Sequence, residues 1–295
     1  MRIAVTGRQG QVARALLDAG RAPGIEVITL GRPELDLAAP ETIEPALRAA
    51  LPDLVVNAAA YTAVDQAERE PELASKINRD GAGAVAAAAK ALCVPVIHLS
   101  TDYVFDGAKR SSYLEEDCVA PASVYGASKL AGEQAVTASC SDHVILRTAW
   151  VYAPYGKNFV RTMLALAGTR EEVRVVADQH GCPTYAMDIA HAIIAVAHNL
   201  LKYRSDPNLR GIFHLAGTGE TSWAGFAEAI FEFLTGKGMR RPALTPITSA
   251  EYPTAARRPA NSVLNCAKLM HVHGIEVPHW SNSLVTCLER LTSRA

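Results

Sequence analysis

Short runs rich in Val, Ile and Leu alternate along the first half of the chain with longer stretches whose apolar residues recur at helical spacing. The runs at 3–6, 26–30, 54–57, 94–100 and 144–146 predict strands, and the stretches at 11–19, 42–50, 70–92 and 126–137 predict helices. Such apolar strands are buried on both faces, and each intervening helix is long enough to cross back over a sheet. The pattern predicts an α/β fold with a doubly wound parallel sheet. Right-handed crossovers then place the loops after the strands along one edge, where ligands of such folds bind.

Beyond Trp150 the rhythm loosens, and Pro154, Gly156, Pro183, Pro207, Pro242, Pro246, Pro253 and Pro259 punctuate shorter elements. Runs at 173–176 and 212–215 read as strands, and 186–201 reads as a long helix able to return to the sheet. The expected division is a doubly wound domain of residues 1–150, rejoined by about 185–216, and a smaller lobe of 151–184 and 217–295.

The 295 residues carry 29 Lys and Arg against 30 Asp and Glu, a net charge of −1. No broad basic face points to a nucleic-acid or anionic-membrane partner. Only Ile3-Ala4-Val5 separates Met1-Arg2 from Thr6-Gly7, too short for a secretory core, and later apolar runs are interrupted. The expected location is the cytoplasm. Six scattered cysteines, none in a Cys-x-x-Cys pair, read as reduced thiols.

Chemistry concentrates in three places. Gly7-Arg8-Gln9-Gly10-Gln11-Val12 follows a predicted strand and opens a helix, a turn that lets backbone N–H groups approach a pyrophosphate. The acidic residue that would hold an adenosine ribose after the second strand is replaced by Gly31-Arg32. An arginine there accepts a 2′-phosphate and tilts the cofactor toward NADPH over NADH; a solvated loop residue, with Asp36 close by, is the alternative. Tyr125 and Lys129 stand i, i+4 on a predicted helix. One ammonium at ~4 Å and an effective dielectric of ~20 is worth about 4 kcal/mol, enough to bring a phenol into the range of proton exchange at neutral pH. Ser100 and Thr101 end the fourth predicted strand on the same edge, and the Thr101 hydroxyl can reach a carbonyl beside Tyr125. Taken singly, a Ser/Thr turn and a structural Tyr/Lys pair are the bland alternatives.

In one order the chain carries Gly7-x-x-Gly10-Gln11-Val12, Asn57-Ala58-Ala59-Ala60-Tyr61-Thr62-Ala63-Val64-Asp65, Ser100-Thr101-Asp102-Tyr103-Val104-Phe105-Asp106-Gly107 and Tyr125-Gly126-x-Ser128-Lys129. It continues with Arg147-Thr148-Ala149-Trp150, Asn158-Phe159, Asp178-Gln179-x-Gly181-x-Pro183-Thr184 and Arg258-Pro259-x-Asn261-Ser262. Over nearly its whole length it resembles the extended short-chain dehydrogenases/reductases, and specifically the dTDP-4-dehydrorhamnose reductase family. The resemblance implies a Rossmann domain with a C-terminal substrate-binding lobe, and reduction of a sugar-nucleotide C4 ketone by NADPH or NADH.

Carried over residue by residue, it makes Tyr125 the proton donor, Lys129 the pKa-lowering and ribose-binding lysine, and Thr101 the hydroxyl partner. Gly7, Gly10, Gln11 and Val12 would meet the pyrophosphate, Arg32, Asp36 and Leu37 the adenosine, and Ala58, Ala59, Ala60, Tyr61 and Thr62 would line the cofactor. Asp102, Tyr103 and Trp150 would contact the sugar, with Arg258, Asn158 and Ser262 toward the diphosphate. Asn78 resembles the superfamily's helix asparagine, and a buried Asn bonded to backbone is an equal account. Some members resemble Mg²⁺-bridged dimers, but the corresponding positions here are Ala15 and Met187, with only Glu289 acidic, so no metal is expected. A homodimer stays open. Rival readings are a reductase or epimerase of another 4-keto-6-deoxy sugar nucleotide, and a non-catalytic regulatory subunit like that of methionine adenosyltransferase.

Overall fold

The computed structural model describes residues 1–293. The first half runs β1 (Arg2–Thr6), α1 (Gln11–Ala19), β2 (Glu26–Leu30), α2 (Ile43–Ala50), β3 (Leu54–Asn57), α3 (Val64–Ala67), α4 (Pro71–Ser75), α5 (Ala82–Ala91), β4 (Val96–Thr101), α6 (Val124–Ser139) and β5 (His143–Thr148). The second runs β6 (Val151–Tyr152), α7 (Phe159–Thr169), β7 (Glu172–Val176), β8 (His180–Gly181), β9 (Thr184–Tyr185), α8 (Ala186–Lys202), β10 (Gly211–His214), β11 (Thr221–Ser222), α9 (Trp223–Gly236), β12 (Ala243–Ile247), α10 (Ala267–His273) and α11 (Trp280–Thr292).

Six strands pair in the order β10-β5-β4-β3-β1-β2, all parallel. Alternation explains why both faces are apolar. On β1, Ile3 and Val5 enter the core under α1 and α8, while Ala4 enters the opposite core under α2 and α5. Each fully buried aliphatic side chain of this kind contributes about 1.5–3 kcal/mol. The 186–215 segment does return to the sheet, with Ile189, Ile193 and Phe213 in the same core as α1. Leu269 and Val277 join that core too, so the C-terminal stretch is shared between the lobes. The second lobe packs α7, α9 and α11 against β7 and β12, around Phe226, Ile230 and Phe231.

Two elements differ from the sequence expectation. The single helix expected over 70–92 is α4, then a π-helical turn over Lys76–Gly81, then α5. Good helix formers mark both sides of the turn, so composition hides it. Here α6 comes so close that a Cβ on Gly132 would sit 2.1 Å from the Asn78 carbonyl oxygen. The fourth strand starts at Val96, not at 94, because Cys93 takes φ +56° and the N–H of Val94 still bonds back to Ala89.

Candidate active site

The loops after β1, β3 and β4 and the start of α6 converge on the sheet edge. Gly7, at φ +94°, turns the chain out of β1, and Gly10 precedes α1 without any side-chain cap. The first N–H groups of α1 therefore lack a side-chain acceptor, and a Cβ on Gly10 would meet nothing within 4 Å. This open, donor-rich turn fits the pyrophosphate of a dinucleotide. Val12 is buried beneath it. Gln11 ties the turn to the second lobe, its Nε2 donating to Val151 O at 3.3 Å and its Oε1 accepting from Asn158 at 3.0 Å.

The loop after β3 is held from two sides. The backbone N–H groups of Ala58 and Ala59 both donate to Thr6 Oγ1. The Asn78 side chain accepts from Tyr61 N at 2.8 Å and donates to Tyr61 O at 3.1 Å and to Ser128 Oγ at 2.9 Å. Asn78 is thus a buried helix asparagine bonded to backbone, and the π turn is what sets it opposite residues 60–62. The Tyr61 hydroxyl donates to Glu70 at 2.6 Å, which pushes its pKa up to about 12. At the end of β2 the Arg32 side chain is exposed, and Arg8 donates to Arg32 O while pairing with Glu34 at 2.8 Å. Asp36 accepts from Ala38 N in a local turn, and Leu37 is buried against Gly81.

Ser123 caps α6, its hydroxyl accepting from Gly126 N at 3.1 Å, so Tyr125 lies in the first turn. Tyr103 sits edge-on to Tyr125, with ring centroids 5.7 Å apart. Burial pushes the Tyr125 phenol up to about 12, Thr101 pulls it down through a hydrogen bond, and Asp102 pushes it up. Lys129 Nζ donates to Leu99 O at 2.6 Å and lies 3.3 Å from His98 Nε2. Burial lowers Lys129 to about 8, against the pull of Glu133. The lysine is engaged by β4, and desolvation dominates the phenol.

Thr101 donates to Asp102 Oδ1 at 2.8 Å. Asp102 is buried, its Oδ2 has no hydrogen-bond partner among the described residues, and burial raises the carboxyl to about 6 against the hydroxyls of Ser262 and Thr101. Thr148 Oγ1, in register with Thr101 on β5, is also buried without a partner. Trp150 adopts φ +47°, an outlier for a bulky residue, and stacks on Trp223 with centroids 3.5 Å apart.

Three substrate candidates are already engaged. Arg258 pairs with Asp65 at 2.7 Å, and its charge acts on Tyr103, which places it beside the site. Asn158 is the N-cap of α7: its Oδ1 accepts from Arg161 N, and its Nδ2 donates to Gln11, Ala153 and Tyr155. These bonds hold the lobe junction. Ser262 donates to His180 O at 3.3 Å. Sequence reasoning missed Asp65 and Trp223 as partners, and missed the buried cluster beneath the site. There Glu133 accepts from Ser100 at 2.5 Å and from Arg147 at 2.9 and 2.7 Å.

A cavity of about 650 Å³ lies elsewhere, between α1, α8 and α11, lined by residues that include Arg14, Asp18, Tyr155, Met187 and Arg290. None of the candidate residues lines it, and its arginines are occupied, Arg14 over the Tyr155 ring and Arg290 on Asp18. Ala15 is buried in the sheet core and Met187 packs on the second-lobe core. Among the described residues no group of three or more His, Cys, Asp or Glu is arranged to hold a metal ion, and no helix is long and apolar enough to cross a membrane.

The RmlD substrate binding domain family matches residues 1–293. A dTDP-4-dehydrorhamnose reductase of Sinorhizobium fredii is 55% identical over 283 residues, 96% of this chain and 95% of its own length. One from Escherichia coli K12 is 40% identical over 297 residues, 99% of this chain and 98% of its own. The crystal structure of a Bacillus anthracis dTDP-4-dehydrorhamnose reductase in complex with NADP superposes with a TM-score of 0.89 at 34% identity, covering 100% of this chain and 99% of that one. Motif order, sheet topology and an open glycine turn agree with these likenesses, and the chain belongs to the dTDP-4-dehydrorhamnose reductase family.

Proposed function

We propose that the protein reduces the C4 ketone of dTDP-4-dehydro-β-L-rhamnose to dTDP-β-L-rhamnose with NAD(P)H, the last step of dTDP-L-rhamnose biosynthesis. The observation that carries this reading is the Thr101 hydroxyl acting on the Tyr125 phenol beside an uncapped glycine turn, in a chain of this family. When bound, the reduced nicotinamide supplies a hydride to the ketone carbon.

The residues supply the rest. A phenol raised to about 12 is fully protonated at neutral pH, which is the form a reduction needs. The alkoxide developing at C4 is a stronger base than a phenolate, so Tyr125 Oη gives up its proton as negative charge builds on that oxygen. Thr101 donates a second hydrogen bond to the same oxygen and thereby exchanges its Asp102 partner for substrate. Gln11 and Asn158 keep the glycine turn in register with the second lobe. Arg258, already holding a carboxylate, is suited to the diphosphate, and Trp150 to the sugar.

Exposed Arg8 and Arg32, at the ends of β1 and β2, favour NADPH over NADH. Six unpaired cysteines suit a cytoplasmic location. The test is turnover on a panel of 4-keto-6-deoxy nucleotide sugars with each cofactor, with C4 stereochemistry read by NMR. Rhamnose-configured product from the thymidine substrate is expected, and no turnover with either cofactor contradicts the reading.

A further inference from the structure

At the lobe junction a single ribbon of the second lobe grips one indole at two points. β8 and β11 pair antiparallel, with His180 opposite Ser222 and Gly181 opposite Thr221. Ser222 then caps α9, its hydroxyl accepting from Gly225 N at 3.0 Å, so Trp223 is the first residue of that helix. The ribbon thus delivers Gly181 and Trp223 together, and both meet Trp150. A Cβ on Gly181 would stand 2.5 Å from Trp150 Cε2, 2.6 Å from Nε1 and 2.8 Å from Cζ2, so any larger residue there would push the indole aside.

The stack itself is imposed by its surroundings. The two indoles lie within 4° of parallel at a centroid distance of 3.5 Å, which is close to full overlap. Aromatic pairs left to themselves prefer offset or edge-on arrangements. Trp150 also keeps φ +47°, a conformation a bulky residue holds only where its neighbours over-determine it. Thr184 N donates to Trp150 O at 3.2 Å, and Phe159 backs Trp223 with ring centroids 4.7 Å apart. This assembly borders the site. Trp150 follows β5, whose Thr148 is in register with Thr101, and the Asp102 charge acts on Cys182, the residue after Gly181.

We propose that Trp223 is a positioning residue for the sugar: with Gly181 it holds the Trp150 indole as a fixed wall beside Asp102, and this wall selects for the hexose of the nucleotide sugar. The inference rests on the contact proposed above between Trp150 and the sugar. A wall that is already rigid loses little freedom when a sugar ring is laid against it, so more of the contact appears as affinity. The base and the diphosphate gain nothing from it.

The test needs no turnover, so it stands apart from the substrate assay. Stacked indoles couple their electronic transitions, and the wild type should show a far-ultraviolet circular-dichroism couplet that disappears in Trp223→Leu. Of the three tryptophans the third, Trp280, sits edge-on to Phe226, so the couplet reports this pair. A wild type without the couplet overturns the proposal. Calorimetry in the presence of NADP⁺ then compares dTDP-L-rhamnose with thymidine diphosphate, which lacks the sugar. The wild type should prefer the sugar nucleotide, and Trp223→Leu should cut that preference about tenfold while thymidine diphosphate binding stays within about twofold. Gly181→Ala keeps both indoles but displaces one, and should lose couplet and preference together. Trp223→Phe restores a flat ring and should recover most of the preference without the couplet. An unchanged preference in Trp223→Leu, or equal losses for both ligands, overturns the proposal. So does a wild type that binds the two ligands alike, a result that leaves the reductase reading to its own assay.

Discussion

Polar groups under the sheet edge and polar groups at the mouth between the lobes are held differently. Beneath the edge, Glu133, Arg147, Ser100, Asn57 and Thr6 are almost fully buried, and their bonds are short and specific. At the mouth, the Asp65–Arg258 pair is 46% and 24% exposed at its side chains, while Asp102 Oδ2 and Thr148 Oγ1 are buried without a partner. A saturated buried cluster resists rearrangement because any lost partner strands a desolvated group. Loose or unpaired groups change partners at little cost. One region fixes geometry and the other is free to take up a ligand, so substitutions in the two should separate into losses of stability and losses of catalysis.

The largest separation is expected at Tyr125 and Glu133. Tyr125→Phe removes the positioned acid from the mouth and should lower kcat by about 10²–10⁴-fold. Cofactor binding by nicotinamide fluorescence and the melting temperature should stay near wild type; a near-normal rate would remove Tyr125 from its role. Glu133→Gln leaves Arg147 buried without its countercharge and should cost about 3–5 kcal/mol in urea unfolding. A loss below about 1 kcal/mol would show that the cluster is not rigidly paired.

Asp102 sharpens the contrast through pH. Its carboxyl is raised from the ordinary 3.8 to about 6, so the folded protein binds this proton more tightly than the unfolded chain. That contribution is fully present below about pH 4 and is lost as pH rises through about 6, roughly 3 kcal/mol in all. Asp102→Asn should therefore flatten the stability profile over this window, and parallel profiles would contradict the assignment. Arg258→Ala should have the smallest effect on folding, within about 1 kcal/mol for a partly exposed pair. Its KM for the nucleotide sugar should nevertheless rise about tenfold or more, as a charged hydrogen bond of ~1.5–3 kcal/mol is lost. An unchanged KM would leave Arg258 as a tether for Asp65 only.

The sheet was legible because alternation on β1, and apolar runs on β3 and β4, leave little freedom in which face is buried. Tyr125 and Lys129 were legible as a pair because four residues make one helical turn. What Lys129 bonds to was not, since Leu99 and His98 lie 30 and 31 residues away and come to it only through the register of β4 against α6. The π turn at Lys76–Gly81 was hidden for a similar reason: its residues suit an α-helix, and tertiary approach at Gly132 accompanies the wider turn. The capping of α7 by Asn158 was not legible, because a helix cap and a substrate donor use the same amide.

The central claim is that this site delivers hydrogen from a reduced nicotinamide to C4 of the sugar. Protein mixed with dTDP-4-dehydro-L-rhamnose and NADPH carrying deuterium at the transferred position of the nicotinamide should yield dTDP-L-rhamnose labelled at C4, seen by NMR. NADPH consumption without deuterium at that carbon, or no consumption with either cofactor, would contradict it.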